Sequence, residues 1–375
     1  MSEPTILHVI TRSDWGGAPH VVQLLAEGTA ADVSVACAPG GALIDRLKET
    51  DVTVYEQPHF KRSIEPMNDL RELVSLYQLM RRESFDLVHC HSTKAGLLGR
   101  IAASLAGIPS VFTVHGWGFY NTEFGSFRKA IVGGERLLSR WTDAIVCVSN
   151  DDRRQGITRS ILSHTEDVVV HNGIAPIEIP EDREQLDSHI DSISDSTVIG
   201  AIARLAPQKN PLAILRAGKQ IQDEGEDVVV VLIGDGPLME ECQEYVDTHD
   251  VDAHLLGFQE HALELLCDID TFLLPSRFEG LPLTVIECLH LGIPIVAYDV
   301  GGVAEAIEDG ETGYIVPEDD FEQFVERVRT LAHEPDRREQ MGEQAQQTAA
   351  ERFTAERMVT EYERVYADIL GYSTL

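Results

Sequence analysis

LPSRFEGLPLTVIE, residues 274–287, is the stretch on which the reading of this chain turns. The apolar run TFLL stops at Pro275, a short turn presents Arg277 and Glu279, and an apolar segment with helical spacing then begins. Strand, turn and helix in that order form the unit of a parallel sheet, because a parallel neighbour is reached only through a crossover. A helix opening here carries free backbone N–H groups in its first turn, which makes it a site for an anion. Glu287 lies eight residues after Glu279. At 3.6 residues per turn that is about two turns, so the spacing predicts both carboxylates on one side.

The same alternation runs outward in both directions. TILHVI, VSVAC, VTVYE, LVHCH, SVFTVH, AIVCVS and DVVVHN read as strands of a first sheet. TVIGAIAR, VVVVLIG, AHLLGF, TFLLP, IPIVAYD and TGYIVP read as strands of a second. Helix-length segments separate them and no Asn-Gly hairpin interrupts them, so an α/β fold with doubly wound parallel sheets is expected. Between the two series lies the polar, acidic PIEIPEDREQLDSHIDSISDS at 176–196. This places an N-terminal Rossmann-like domain over 1–175 and a second over 176–352. The remainder, 353–375, has apolar residues at helical spacing and reads as one amphipathic helix.

Composition narrows the function classes. A chain of 375 residues has room for two domains, and 43% hydrophobic content excludes disorder despite a net charge of −33. No apolar run approaches the roughly 18 residues of a membrane-spanning helix, and no signal peptide is read. Six cysteines, at 37, 90, 147, 242, 267 and 288, sit in apolar segments without metal-ligand spacing, as reduced residues of a cytoplasmic protein would. Nucleic acid is excluded as a partner by the negative field. Carboxylates spread over the surface suit a halophilic source, where salt screens their repulsion. The charge is uneven: residues 1–175 hold 17 Lys+Arg against 20 Asp+Glu, whereas 176–375 hold 13 against 43. Within 60–160 the count reverses, 14 basic to 10 acidic.

Short motifs recur in a fixed order: GGAPHVV at 16–22, HCHSTKAGLLGR at 89–100, TVHGWG at 113–118, VSN at 148–150 and HNGI at 171–174. ARLAPQKN at 203–210, IGDGP at 233–237, LLGF at 255–258, the E-x7-E of EGLPLTVIE and GGVAE at 301–305 complete the series. Over residues 5–310 the chain resembles glycosyltransferase family four, retaining enzymes of the GT-B fold. That resemblance implies two Rossmann-like domains facing an interdomain cleft, with the C-terminal helix crossing back to the first domain. It implies a nucleoside-diphosphate sugar as co-substrate, with no cofactor and no metal.

The resemblance also assigns roles. Arg204 and Lys209 would meet the departing diphosphate, whose charge grows as the glycosidic bond breaks, so fixed cations there favour the transition state. Glu279 would bind sugar hydroxyls, helped by backbone N–H groups of Gly280, Leu281 and Leu283, and Glu287 the ribose hydroxyls. Gly16 and Gly17, in the loop before a helix beginning near His20, would approach phosphate closely. His115 would touch the donor sugar near the reacting centre, and His91 would line the acceptor side. Gly234 and Gly236 read as a tight turn near the nucleotide base; the third position of a dinucleotide fingerprint holds Met239 and no βαβ start is read around it. Asp268 and Asp270 spell the D-x-D of metal-dependent transferases, but the GT-B resemblance implies no metal there. Ala203 stands where the family more often has Gly, and Pro19 where it often has an acid.

WGFYNTEFGSFRKAIVGGERLLSRW, 117–141, interleaves aromatic and aliphatic residues with Arg128, Lys129, Arg136 and Arg140. Such a segment suits an anionic membrane surface or a lipid-phosphate acceptor, and equally a helix with a solvated basic face. The expected activity is transfer of a sugar to a hydroxyl acceptor, a saccharide or lipid-linked saccharide. The alternatives are a nucleotide-sugar 2-epimerase or phosphorylase of the same fold, or a non-enzymatic glycan-binding protein.

Overall fold

The computed structural model describes residues 3–61, 63–120, 125, 128–190, 193 and 196–374. Seven strands build the first sheet: β1 (Thr5–Ile10), β2 (Asp32–Cys37), β3 (Thr53–Glu56), β4 (Leu87–His91), β5 (Ser110–Val114), β6 (Ala144–Cys147) and β7 (Glu166–Val169). Six build the second: β8 (Thr197–Ile202), β9 (Val228–Ile233), β10 (Ala253–Gly257), β11 (Thr271–Leu274), β12 (Ile295–Tyr298) and β13 (Gly313–Val316). Each overlaps a segment read as a strand, β2 and β7 beginning one residue earlier at Asp32 and Glu166, because parallel strands covered on both faces read as near-continuous Val, Ile and Leu runs.

The strand orders are β3-β2-β1-β4-β5-β6-β7 and β10-β9-β8-β11-β12-β13, and the ladders in both are parallel. In each sheet the order reverses once, between β1 and β4 in the first and between β8 and β11 in the second. Ligands of open α/β sheets gather outside the carboxyl ends of the strands at such a switch point.

The chain divides into two compact units, Met1–Ala175 joined by Thr354–Leu375, and Pro176–Phe353. The helix Ala355–Leu370 begins at Thr354, whose side chain accepts a hydrogen bond from the Arg357 N–H. Its apolar stripe of Met358, Tyr362, Val365 and Tyr366 is buried. Within the first unit the Tyr366 hydroxyl reaches His89 Nδ1 at 2.7 Å, the Tyr362 hydroxyl reaches Thr113 at 3.0 Å, and Arg357 donates to the His171 carbonyl.

Candidate active site

In the second unit the turns after β8 and β11 meet. Lys209 Nζ lies 2.6 Å from Glu279 Oε1, with the Lys209 side chain 20% exposed and the Glu279 side chain 7%. Gln208 ties the same turns together: its side chain donates to the Phe278 carbonyl, and its own carbonyl accepts the Arg277 N–H. Arg204 is exposed and has no ion-pair partner among the described residues. The turn after β8 therefore carries a cation already paired to a carboxylate and, five residues earlier, a guanidinium open to solvent.

Two packing details fix these turns. The Gly234 and Gly236 backbones run so close to the Arg204 loop that a Cβ would sit 2.1 Å from the Ala203 carbonyl oxygen and 2.3 Å from that of Leu205. Gly301, φ +57°, abuts the Glu279 carbonyl, and a Cβ there would lie 1.9 Å from the oxygen. Gly302 N–H donates to the Gly280 carbonyl at 2.8 Å. The turn bearing Glu279 thus leans on the turn after β12.

The helix after this turn spans Leu283–Leu291, with Pro282 extended at its N-cap. This corrects the two-turn spacing expected between Glu279 and Glu287. Glu279 precedes the helix, and only just over one turn separates Leu283 from Glu287, because Pro at the cap sets the start of the helix. Leu281 and Leu283 bury their side chains, so neither side chain is open to a ligand. Glu287 is half-buried, and burial pushes its carboxyl up to about 7.

At the switch point of the first unit the side chains are mostly uncharged. Gly17 is the first residue of the helix Gly17–Gly28 with Gly16 as its N-cap, so the helix starts three residues earlier than expected at His20. Pro19 has no N–H to lose and is tolerated in a first turn. His115 follows β5 and lines a pocket with Thr93, Gly116, Trp117 and Glu135. Ser92, at the same edge, holds φ +67° and bonds Thr11 through their hydroxyls at 2.9 Å. Non-glycine residues in that region are strained and concentrate at functional sites.

His91 does not line an acceptor surface. It is fully buried, with Nε2 3.1 Å from His8 Nδ1 and Nδ1 3.0 Å from His115 Nε2. An imidazole at the end of an interior strand is covered on both faces, which sequence spacing alone does not show. Nitrogens of His8, His89 and His91 lie within 4.8 Å of one another, but those of His8 and His91 meet each other. His89 is held by Tyr366 and Thr113. Glu135, in the pocket wall, pairs with Arg100 at 2.7 Å, their side chains 6% and 0% exposed, the guanidinium lying 4.0 Å from the Phe112 ring centre.

Other candidates fall elsewhere. Asp268 is gripped by Arg183 and by the Leu186 N–H, and Asp270 accepts the Val198 N–H, so the D-x-D carboxylates brace the chain around β8 and β11. Gly234 and Gly236 do lie in a βαβ unit, since the helix Met239–His249 connects β9 to β10; the missing third glycine hid it. The basic segment 117–141 lies partly outside the described residues. Within it Arg128 Nε donates to the Phe119 carbonyl, while Lys129, Arg136 and Arg140 are exposed. Gln208, Ser92 and Arg100 lie inside quoted motifs but were given no role, His8 and Glu135 lie in none, and only the sheet order brings them to these edges.

Residues 182–348 match the family described as Glycosyl transferases group 1, and residues 15–177 match Glycosyltransferase Family 4. A galactosyltransferase of Escherichia coli, named UDP-Gal:alpha-D-GlcNAc-diphosphoundecaprenol alpha-1,3-galactosyltransferase, is 32% identical over 307 residues, 78% of each chain. This chain belongs to glycosyltransferase family four. A second member, the capsular polysaccharide biosynthesis glycosyltransferase CapM of Staphylococcus aureus, is 24% identical over 87% of this chain and 88% of its own. The family-four fold is also that of Anabaena HepE, solved with UDP and glucose: TM-score 0.84 at 20% identity, covering 98% of this chain and all of that one. Its two doubly wound parallel sheets are of the GT-B class, and the chain is a glycosyltransferase acting on nucleotide sugars.

Proposed function

We propose that the enzyme transfers a hexose from a UDP-sugar, with retention at the anomeric carbon, to a hydroxyl of a lipid-linked saccharide. The observation that carries this reading is the Lys209–Glu279 pair at the second switch point, with Arg204 exposed in the same turn as Lys209. Arg204 offers a planar fork to phosphate and Lys209 a compact charge, and both face growing negative charge as the diphosphate departs. Glu279, relieved of Lys209 by the incoming diphosphate, accepts hydrogen bonds from the sugar hydroxyls. Glu287 takes the ribose hydroxyls, the first-turn N–H groups from Leu283 onward add partial positive charge, and Gly16 and Gly17 offer N–H groups to phosphate. His115 contacts the sugar. The diphosphate leaves and the acceptor hydroxyl attacks on the same face, its proton passing to the departing phosphate oxygen.

The E. coli relative's name specifies UDP-Gal and a diphosphoundecaprenol-linked acceptor, and HepE was solved with UDP, which supports both substrate classes. Among the described residues no helix is long and apolar enough to cross a membrane, so such an acceptor is met at the surface. The outward face of the helix Pro66–Glu83 suits that contact better than segment 117–141. Met67, Leu70 and Val74 are exposed at helical spacing, with Arg71 and Arg81 beside them. Apolar side chains flanked by arginines fit an anionic bilayer from the cytoplasmic side. The density of carboxylates is that of a protein working in concentrated salt.

The test is to incubate the enzyme in high salt with UDP-galactose, UDP-glucose and UDP-N-acetylglucosamine, each with a polyprenyl-diphosphate GlcNAc acceptor. Expected is UDP release with one donor and an α-linked product by NMR. A β-linked product, or an altered nucleotide sugar formed without acceptor, overturns the reading. Flotation with anionic liposomes, lost on Arg71→Glu with Arg81→Glu, tests the membrane contact.

A further inference from the structure

Three imidazoles of the first unit stand in line behind the pocket. β1 lies beside β4 and β4 beside β5, with Ile10 opposite His91 and His91 opposite Thr113, which brings His8, His91 and His115 together. The contacts are His8 Nδ1 to His91 Nε2, 3.1 Å, and His91 Nδ1 to His115 Nε2, 3.0 Å. The rings are nearly coplanar, at 14° and 26°, with centroids 5.2 and 5.3 Å apart. Nitrogens that close on centroids that far apart leave the rings end to end, so each N–H points down the line. At one end His8 Nε2 is buried with no partner among the described residues. At the other, His115 is half-buried and lines the pocket.

Burial keeps all three neutral, lowering His8 to about 3, His115 to about 4 and His91 well below its ordinary value. A neutral imidazole has one N–H and one lone pair. Two shared contacts then allow two arrangements, every ring protonated at Nδ1 or every ring at Nε2. With Nε2 protonated, the last hydrogen, on His8, points into the core with nothing to receive it. With Nδ1 protonated, the same buried atom leaves only a lone pair. Orphaned buried N–H groups are rarer than under-used acceptors, so the line runs from His8 outward.

We infer that His8 and His91 are positioning residues that lock His115 in its Nδ1–H form, so that it presents a hydrogen-bond donor to the pocket and keeps no free lone pair. The ring then donates to a sugar oxygen and cannot take a proton. Which nitrogen of a histidine carries hydrogen is set by the bond its other nitrogen makes, and here two buried rings relay that choice from β1. This deepens the reading of His115 as a sugar contact and rests on it only for the kinetic arm of the test.

The first arm is long-range 1H–15N NMR on the full chain labelled in its histidines. Expected are Nδ1–H forms for His8, His91 and His115, with zinc added to the sample leaving their signals in place. An Nε2–H form at His115, or zinc capturing the rings, overturns the inference whether or not the protein transfers sugar. In His8→Asn the amide nitrogen stands where Nδ1 stood, so the Nδ1–H forms persist. In His8→Leu they give way to a mixture. In the kinetic arm, kcat falls roughly tenfold in His8→Leu with KM for donor nearly unchanged, and His8→Asn restores most of it. Equal losses in the two variants, both folded, would reduce His8 to packing and overturn the inference. Absence of transfer by the unmodified enzyme would instead sink the proposed function, with the NMR result standing.

Discussion

Each unit carries a short ion pair close to its candidate residues, and the two are built to opposite ends. Arg100–Glu135 in the first is sealed, 0% and 6% exposed, with the guanidinium packed on Phe112. Lys209–Glu279 in the second is just as short, but Lys209 remains 20% exposed and Arg204, in the same turn, is open to solvent. A sealed pair holds structure, because neither member can be released without leaving a charge stranded in low dielectric. A pair with one solvated member can exchange partners, which is what a charged substrate needs. Net charge misleads here. The first unit counts 19 Lys+Arg against 24 Asp+Glu, a net of −5, and the second 11 against 39, a net of −28. Yet the cations proposed to receive a diphosphate are in the second, so placement of two side chains outweighs the charge of the domain.

The comparison breaks most readily at the sealed pair. Glu135→Ala strands Arg100 and is expected to cost about 3–5 kcal/mol of stability, read by urea unfolding. A loss well under about 1 kcal/mol would show that water reaches the guanidinium and that the pair is not sealed. Next in size, Lys209→Ala is expected to lower kcat by about 10²–10³-fold while leaving the fold intact by circular dichroism. Equal activity would move the diphosphate away from this edge.

A smaller effect sharpens the comparison through pH. Burial raises Glu287 to about 7, so it is largely protonated at pH 6 and ionised at pH 8. The ionised form is acceptor-only and takes two ribose hydroxyls. KM for donor should therefore fall a few-fold as pH rises through 7, and Glu287→Gln should flatten that profile. A KM that rises with pH would show that the protonated form binds. The smallest expected effect is on the surfaces. Raising salt to about 1 M shortens screening to about 3 Å, so hydrogen-exchange protection should increase more across 176–353 than across 1–175. A uniform response would detach the stabilising role of salt from carboxylate density.

Most of the strands were legible because a buried parallel strand reads as an apolar run, and the partly exposed β3, β7 and β10 still carry apolar residues between turn signals. The places of Arg204, Lys209 and Glu279 in the turns after β8 and β11 were legible as well, since they fall in short segments next to strand ends. What the spacing missed depends on neighbours distant in sequence. His91 reads as a polar residue at a strand end, and only β1 on one side and β5 on the other show it to be buried between two imidazoles. The pairing of Lys209 with Glu279 is invisible until β8 is placed beside β11. The helix start at Leu283 turned on Pro282 acting as a cap, where the apolar spacing ran straight through it.

Gly301 carries a consequence for anyone who would retune this enzyme. The glycine, with its left-handed backbone, is wedged against the peptide of Glu279, so the turn that bears the carboxylate is propped from the loop after β12. A single methyl group at 301 would act as a shim, tilting the ligand-bearing turn without altering one atom of its chemistry. Libraries aimed at new sugars will find tolerance running out there, well before the residues that meet the sugar are exhausted.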